Sequence, residues 1–381
     1  MIIGYEAKRV FQNISGLGNY SRNTINLLSK YYPENTYKLF APKLTNLYTY
    51  PSNAEVIVPK TRFFKFLKSY WRLHIVTKLL KNNRIDIFHG LSHVIPYGIE
   101  KTGIPSVVTI HDLIFLRFPE FYKNIDRKIY TSVYKSTCRR ATKIIAISKQ
   151  TKEDLIHYFG VEPERIEIIY QSCNSSYYEK VTPERKEEVK RKYDLPDSFL
   201  LCVGTIQDRK NQLSILKALV NEKLDIPLVI LGKPRPKEYL VELKKYIGET
   251  GIQKQVIFLH DTNTSELQAI YQMAEIMVYP SFFEGFGLPV LEAQASGCPV
   301  ITSNISSLPE AGGEGDIYVD PSDISEIGKS IHNILSSKEL KNELIEKGIV
   351  NAALFSEHLV ADRLMKLYKQ VLQEKQRQFP G

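Results

Sequence analysis

Seven short runs rich in β-branched and other apolar residues, at 1–5, 37–41, 55–58, 86–89, 106–111, 143–148 and 166–170, alternate with helical spacing through the first half of this chain. Most are too uniformly apolar for a sheet with one wet face, so each is expected in a parallel sheet covered by helices on both sides. The alternation begins again beyond a polar, charged segment at 179–188, with runs at 199–204, 227–232, 255–260, 276–279, 299–303 and 317–319. The expected fold class is α/β: two doubly wound parallel-sheet, Rossmann-like domains facing a cleft, over 1–178 and 190–358, with 179–188 as the linker. Ligands of such sheets bind beyond the carboxyl ends of the strands, so the loops that follow strands are where function is expected.

A chain of 381 residues, 43% hydrophobic, suffices for two such domains. No window approaches the roughly 18 consecutive apolar residues of a membrane span, and Met1-Ile2-Ile3-Gly4-Tyr5 starts as a strand without a charged signal region, so a cytoplasmic protein is expected. Cys138, Cys173, Cys202 and Cys298 are scattered without metal-ligand spacing, which predicts neither disulfide nor zinc. The formal charge of +9 fits nucleic acid, an anionic membrane surface or an anionic substrate equally. It is concentrated at 60–84, where Lys60, Arg62, Lys65, Lys68, Arg72, Lys78, Lys81 and Arg84 occur without an acid and interleave with Phe63, Phe64, Phe66, Tyr70 and Trp71. On a helix, Phe63, Leu67, Tyr70, Trp71, His74, Ile75 and Lys78 share one side. Such a helix either docks on anionic lipid or covers the sheet with its lysines solvated.

The densest chemistry lies at Ser281-Phe282-Phe283-Glu284-Gly285-Phe286-Gly287-Leu288-Pro289-Val290-Leu291-Glu292. Two glycines let backbone approach a ligand, and the helix that follows offers free amides and a positive dipole end to a phosphate. Glu284 in the loop and Glu292 one to two turns into the helix are placed to accept hydroxyls from the two ends of one extended ligand. A tight turn followed by an ordinary first-turn acid would read the same way. Two carboxylates around a diphosphate pocket suggest a nucleotide sugar.

Three further loops follow strands. Gly204-Thr205-Ile206-Gln207-Asp208-Arg209-Lys210-Asn211 carries a planar fork, Arg209, and a point charge, Lys210, for phosphate oxygens, unless these are merely solvated loop cations. His111 closes the buried run Ser106-Val107-Val108-Thr109-Ile110, either as a functional group oriented by Asp112 or as a satisfied core histidine. Asn13-Ile14-Ser15-Gly16-Leu17-Gly18-Asn19 is a glycine loop that lacks the acid a dinucleotide site would place on the second strand. His89 and His93 flank Gly90 and have no third ligand nearby, which makes them candidates for an acceptor cleft rather than a metal pair.

Taken together, the run at 275–302, a strand, the loop, a helix with its glycine stop and the next strand, resembles the donor-binding signature of the retaining nucleotide-sugar glycosyltransferases of family 4, which have the GT-B fold, and the resemblance extends over nearly the whole chain. It implies that Lys210 and Arg209 contact the donor diphosphate, with Phe286, Gly287, Leu288 and the loop glycines Gly16 and Gly18 around the donor. It further implies that Glu284 holds the transferred sugar, Glu292 the ribose, and that His111 lies beside the sugar. Many relatives carry arginine where this chain has Thr205. The pattern at 360–373 resembles the segment that crosses back onto the N-terminal domain, giving a helix at 360–378. Residues 111–120 and 306–310 are most similar to bacterial mannosyltransferases of surface-polysaccharide assembly. The implied donor is GDP-mannose, with UDP- or dTDP-sugars as alternatives. The implied acceptor is a glycan, polyprenyl-linked in such systems, which favours membrane contact at 60–84 and a peripheral place at the inner face of the plasma membrane. No Asp-x-Asp element occurs, so no metal or other cofactor is expected and lysine, arginine and helix dipole would neutralise the leaving nucleotide. A sugar-nucleotide epimerase of the same fold is the alternative enzyme. A basic nucleic-acid-binding protein explains the charge but not the paired glutamates, so no nucleic-acid partner is expected.

Overall fold

The computed structural model describes residues 1–61, 64 and 66–378. The chain divides into two compact units, Met1–Gln171 joined by the stretch from His358 onward, and Ser172–Glu357. In the first, β1 (Ile2–Glu6), β2 (Thr36–Phe40), β3 (Ala54–Ile57), β4 (Ile87–Gly90), β5 (Ser106–Ile110), β6 (Lys143–Ala146) and β7 (Ile166–Ile168) form one parallel sheet ordered β3-β2-β1-β4-β5-β6-β7. Both faces are covered, as the uniformly apolar strands require. On one side Val10 and Phe11 of α1 (Lys8–Gln12) and Ile25 and Leu28 of α2 (Gly16–Tyr31) pack with Val360, Leu364 and Tyr368 of the C-terminal helix, Glu357–Gln378. On the other, Val76 and Leu80 of α3 (Val76–Asn82), Cys138 of α4 (Asn124–Arg140) and Leu155 of α5 (Lys149–Phe159) close a second core around Trp71.

The second unit has β8 (Leu200–Val203), β9 (Leu228–Leu231), β10 (Val256–Leu259), β11 (Ile276–Tyr279), β12 (Val300–Ser303) and β13 (Asp316–Val319), all parallel, ordered β10-β9-β8-β11-β12-β13. In each sheet the chain steps outward from one strand, then jumps back to build the other half. The reversals lie between β1 and β4 and between β8 and β11. A crevice at the strand carboxyl ends forms at such a reversal, because the flanking loops diverge to opposite sides. The segments carrying Gly16, Gly18, His93, Arg209, Lys210 and Glu284 leave these strands, and the one carrying His111 and Asp112 leaves neighbouring β5.

Two expectations are corrected. The segment at 179–188 is not a linker: α6 (Pro183–Tyr193) starts within it, capped by the Thr182 side chain, which accepts from the Arg185 amide. It packs on α8 (Thr264–Met273), the helix after α7 (Lys237–Thr250), and so is part of the second unit, which runs from Ser172. Only Val189 of α6 is buried, and that single apolar anchor in a charged helix reads as solvated connector. The expected stripe at 60–84 also breaks. Arg62, Phe63 and Lys65 lie outside the described residues. Residues Trp71–Ile75 form a π turn between the short helix Lys68–Tyr70 and α3, and i→i+5 bonding shifts residues on its two sides off a common 3.6-residue face. Trp71 is sealed in the core while Leu67, Tyr70, His74 and Lys78 are exposed.

Candidate functional site

After β8 the chain turns at Gly204, whose φ of +133° suits glycine, and a Cβ on Gly232 at the end of β9 would stand 1.8 Å from the Gly204 carbonyl oxygen. Asn211, itself left-handed at φ +57°, donates its side-chain amide to Pro280 O (3.0 Å) and Pro321 O (2.7 Å). The Phe282 amide donates to Arg209 O at 2.9 Å. The loop after β8 is thereby fastened to the loop after β11, across the strand reversal. Arg209 Nη1 lies 3.0 Å and Lys210 Nζ 2.5 Å from the same oxygen, Glu284 Oε1. Lys210 also donates to the Tyr279 hydroxyl, Arg209 to the Phe283 carbonyl. Lys210 and Glu284 are each only 8% exposed.

Burial pushes the Glu284 carboxyl up, yet Arg209 and Lys210 outweigh it and hold the group at about 2. Burial lowers the Lys210 ammonium, and Glu284 offsets part of that. Two cations converge on one carboxylate in a poorly hydrated place, a setting that suits an anionic ligand. The loop itself is held by serines: Ser307 Oγ donates to both Glu284 O and Phe286 O at 2.9 Å, and Ser306 Oγ accepts the Glu284 amide at 3.3 Å.

Gly287 then caps α9 (Leu288–Ala295) with φ +118°, a conformation reserved for glycine, and a Cβ there would meet Leu308 Cδ2 at 2.9 Å. No side chain caps the start of α9. Leu288 is half-buried at its first position, whereas the Phe286 ring is buried 5.6 Å from the Phe355 ring, so only its backbone is left for a ligand. In the second turn of α9, Glu292 accepts from the Tyr271 hydroxyl at 3.1 Å. With no cation beside it, burial pushes its carboxyl up to about 7, against the pull of the Tyr271 and Tyr177 hydroxyls. The two glutamates thus have opposite electrostatics: one permanently ionised, the other poised near neutrality.

In the first unit, Gly18 is dictated by packing, since its Cβ would stand 1.9 Å from Asn13 O; Gly16 faces open space. Asn13 Oδ1 accepts from the Ser15 and Gly18 amides at 2.8 and 3.2 Å, and so closes the start of α2 on itself. His111 and His93 stand together with ring centroids 5.1 Å apart, His93 stacked on Tyr134 and His111 edge-on to Tyr20. His111 Nε2 bonds Leu91 O at 3.0 Å, and Asp112 Oδ1 accepts the Ile114 amide at 3.3 Å. The Leu91 carbonyl, rather than the expected Asp112, therefore orients the His111 ring. Burial lowers His111 to about 4 and His93 well below its usual range, so both are neutral at pH 7.

His89 is a correction. Fully buried in β4, it bonds Tyr368 Oη (2.6 Å) through Nδ1 and Thr109 Oγ1 (2.8 Å) through Nε2, which leaves no ring nitrogen for an acceptor. Sequence reasoning missed Tyr279, Tyr271, Tyr177, Ser306 and Ser307. The serine pair after β12 is visible as a turn, but nothing local says that it reaches back to the 284–286 carbonyls.

Residues 16–176 match the family model described as Glycosyltransferase Family 4, and 184–350 the one described as Glycosyl transferases group 1. The chain is 29% identical over 297 residues to the O-antigen chain mannosyltransferase B of Escherichia coli, covering 76% of each. It is 27% identical over 272 residues to the O-antigen chain mannosyltransferase RfbU of Salmonella typhimurium, covering 71% of this chain and 70% of the relative. Among solved structures, Anabaena HepE in complex with UDP and glucose superposes with a TM-score of 0.74 over 97% of this chain and 99% of its own, at 16% identity. The two matches run through both sheets and through the loops that carry Gly18, His111, Lys210, Glu284 and Glu292, and on that ground the chain belongs to glycosyltransferase family 4, an enzyme of the GT-B fold.

Proposed function

We propose that the protein moves mannose from GDP-mannose, with retention at the anomeric carbon, onto a hydroxyl of a lipid-linked glycan in surface-polysaccharide synthesis. The observation that carries this reading is the convergence of Lys210 and Arg209 on buried Glu284 beside the uncapped start of α9. In the free protein the Glu284 carboxylate stands where an anion is wanted. On donor binding the diphosphate takes over the two cations and Glu284 turns to the sugar hydroxyls. The bond from the anomeric carbon to the diphosphate oxygen then breaks and the acceptor oxygen bonds that carbon from the same face. The acceptor proton passes to the leaving phosphate, while Lys210, Arg209 and the α9 amides stabilise the growing charge without a metal. Glu292 holds the ribose, and neutral His111 is the histidine to which the family resemblance assigns the transferred sugar. The mannosyl assignment is supported by the names of the two curated relatives.

The acceptor reading extends to a peripheral place on the inner membrane face. Of the described aromatics at 60–84, Phe66 (87% exposed) and Tyr70 are available, and Leu67, Lys60 and Lys68 are exposed as well. Arg72 instead faces buried Glu6 at 3.6 Å, so it does not count toward a lipid surface. No described helix is long and apolar enough to cross a membrane. The test is a binding screen against GDP-, UDP- and dTDP-sugars followed by transfer assays with a polyprenyl-linked glycan. Preference for a UDP- or dTDP-sugar would overturn the donor assignment. Turnover of the donor without an acceptor would point to isomerisation or hydrolysis.

A further inference from the structure

Outside the loops described above, the first unit carries a second cationic concavity. Two adjoining cavities of about 450 and 420 Å³ run along α4 and share Ser132 and Lys135 in their walls. Arg127 and Lys128 line one end, Arg139 and Arg165 the other, and no carboxylate lines either cavity. Lys128, Lys135 and Arg139 are spaced i, i+7 and i+11, so they fall along one stripe of the helix. At about 1.5 Å per residue that stripe is about 16 Å long. All three are exposed. Each lacks an ion-pair partner among the described residues, although acids pair with cations elsewhere in this chain. The wall beneath is firm: Arg165 donates to Cys138 O and Ala141 O at 2.7 and 2.5 Å, and Arg127 Nε to Phe115 O at 3.2 Å. These two guanidiniums therefore anchor the ends of the groove, while the other three cations are available to a ligand.

We propose that this groove on α4 binds the phosphate groups of a chain-like ligand. A concave wall with hydroxyls between unpaired cations suits tetrahedral oxyanions, which take charge-assisted bonds from lysine and arginine and neutral ones from serine and threonine. Its length accommodates more than one phosphate. The phosphates belong either to a soluble phosphorylated molecule or to lipid headgroups; the chemistry that recognises them is the same.

The test uses the full chain with Lys128, Lys135 and Arg139 all replaced by glutamine. Its reference is an equal-charge variant, Lys244→Gln, Lys254→Gln and Lys366→Gln, at exposed positions. Two probes are titrated at low salt: inorganic tripolyphosphate by calorimetry, and vesicles containing phosphatidylglycerol by sedimentation. The groove variant should lose about tenfold or more in affinity for at least one probe relative to the reference variant, with its GDP affinity and melting temperature unchanged. Loss confined to tripolyphosphate identifies soluble phosphates as the source, and loss confined to vesicles identifies headgroups. Equal weakening by both variants, or parent protein that binds neither probe, overturns the proposal.

Discussion

At the scale of single residues, the contrast between Glu284 and Glu292 yields two predictions. Glu284→Gln keeps the shape but removes the charge that faces Lys210 and Arg209. If its work is done on the transferred sugar, kcat should fall by about 10²–10³ while GDP binding holds or tightens, because the cations lose a competitor. Unchanged turnover would remove Glu284 from the reacting centre. For Glu292 the folded value of about 7 lies above the ordinary 4.5. Burial of its carboxylate therefore destabilises the fold progressively as pH rises from about 4.5 to 7, and fully above. Glu292→Gln should raise Tm more at pH 8 than at pH 5. A ribose hydroxyl donates to an ionised acceptor, so parent affinity for GDP should climb with pH up to about 7 relative to the variant and then level off. Parallel pH profiles in calorimetry would separate Glu292 from the ribose. Both glutamates were legible as a pair in the sequence; their opposite electrostatics were not, since these depend on partners at positions 209, 210 and 271.

At the scale of elements, the parallel strands were found to within a residue or two because buried apolar runs are a strong local signal, as at Leu200–Val203 and Ile276–Tyr279. Charged helices and non-standard turns were not. Helix α6 has one buried side chain and no periodic face to read, and the π turn at Trp71–Ile75 undoes the 3.6-residue count on which the stripe at 60–84 rested. His89 shows a different limit: a histidine near the end of a strand looks the same whether solvent or Tyr368, 279 residues away, meets its ring nitrogen. The glycine loop gives a clean experiment, because the two glycines chosen from sequence are inequivalent in space. Gly18→Ala should distort the start of α2 and lower Tm by several degrees, whereas Gly16→Ala should leave thermal stability within about 0.5 kcal/mol of the parent. A drop in activity in Gly16→Ala at unchanged Tm would assign that position to ligand approach alone.

At the scale of the whole molecule, the basic balance resolves into separate places: a buried pair beside Glu284, an exposed aromatic patch around Phe66, and the groove on α4. Excess chelator should leave transfer activity largely intact, while Lys210→Ala should abolish most of it. Restoration of a chelated, inactive enzyme by magnesium would overturn the account of charge neutralisation by side chains. The chain's route through its two units has a consequence for synthesis. The core that closes α1 and α2 is completed by Val360, Leu364 and Tyr368, which the ribosome adds only after the entire second unit has been made. The first sheet to emerge is thus the last to be finished. For most of translation its β1 and β4 must wait with one face covered by α1 and α2 alone and His89 lacking the Tyr368 hydroxyl, so the nascent protein is most exposed to misassembly and chaperone capture in its first-made unit.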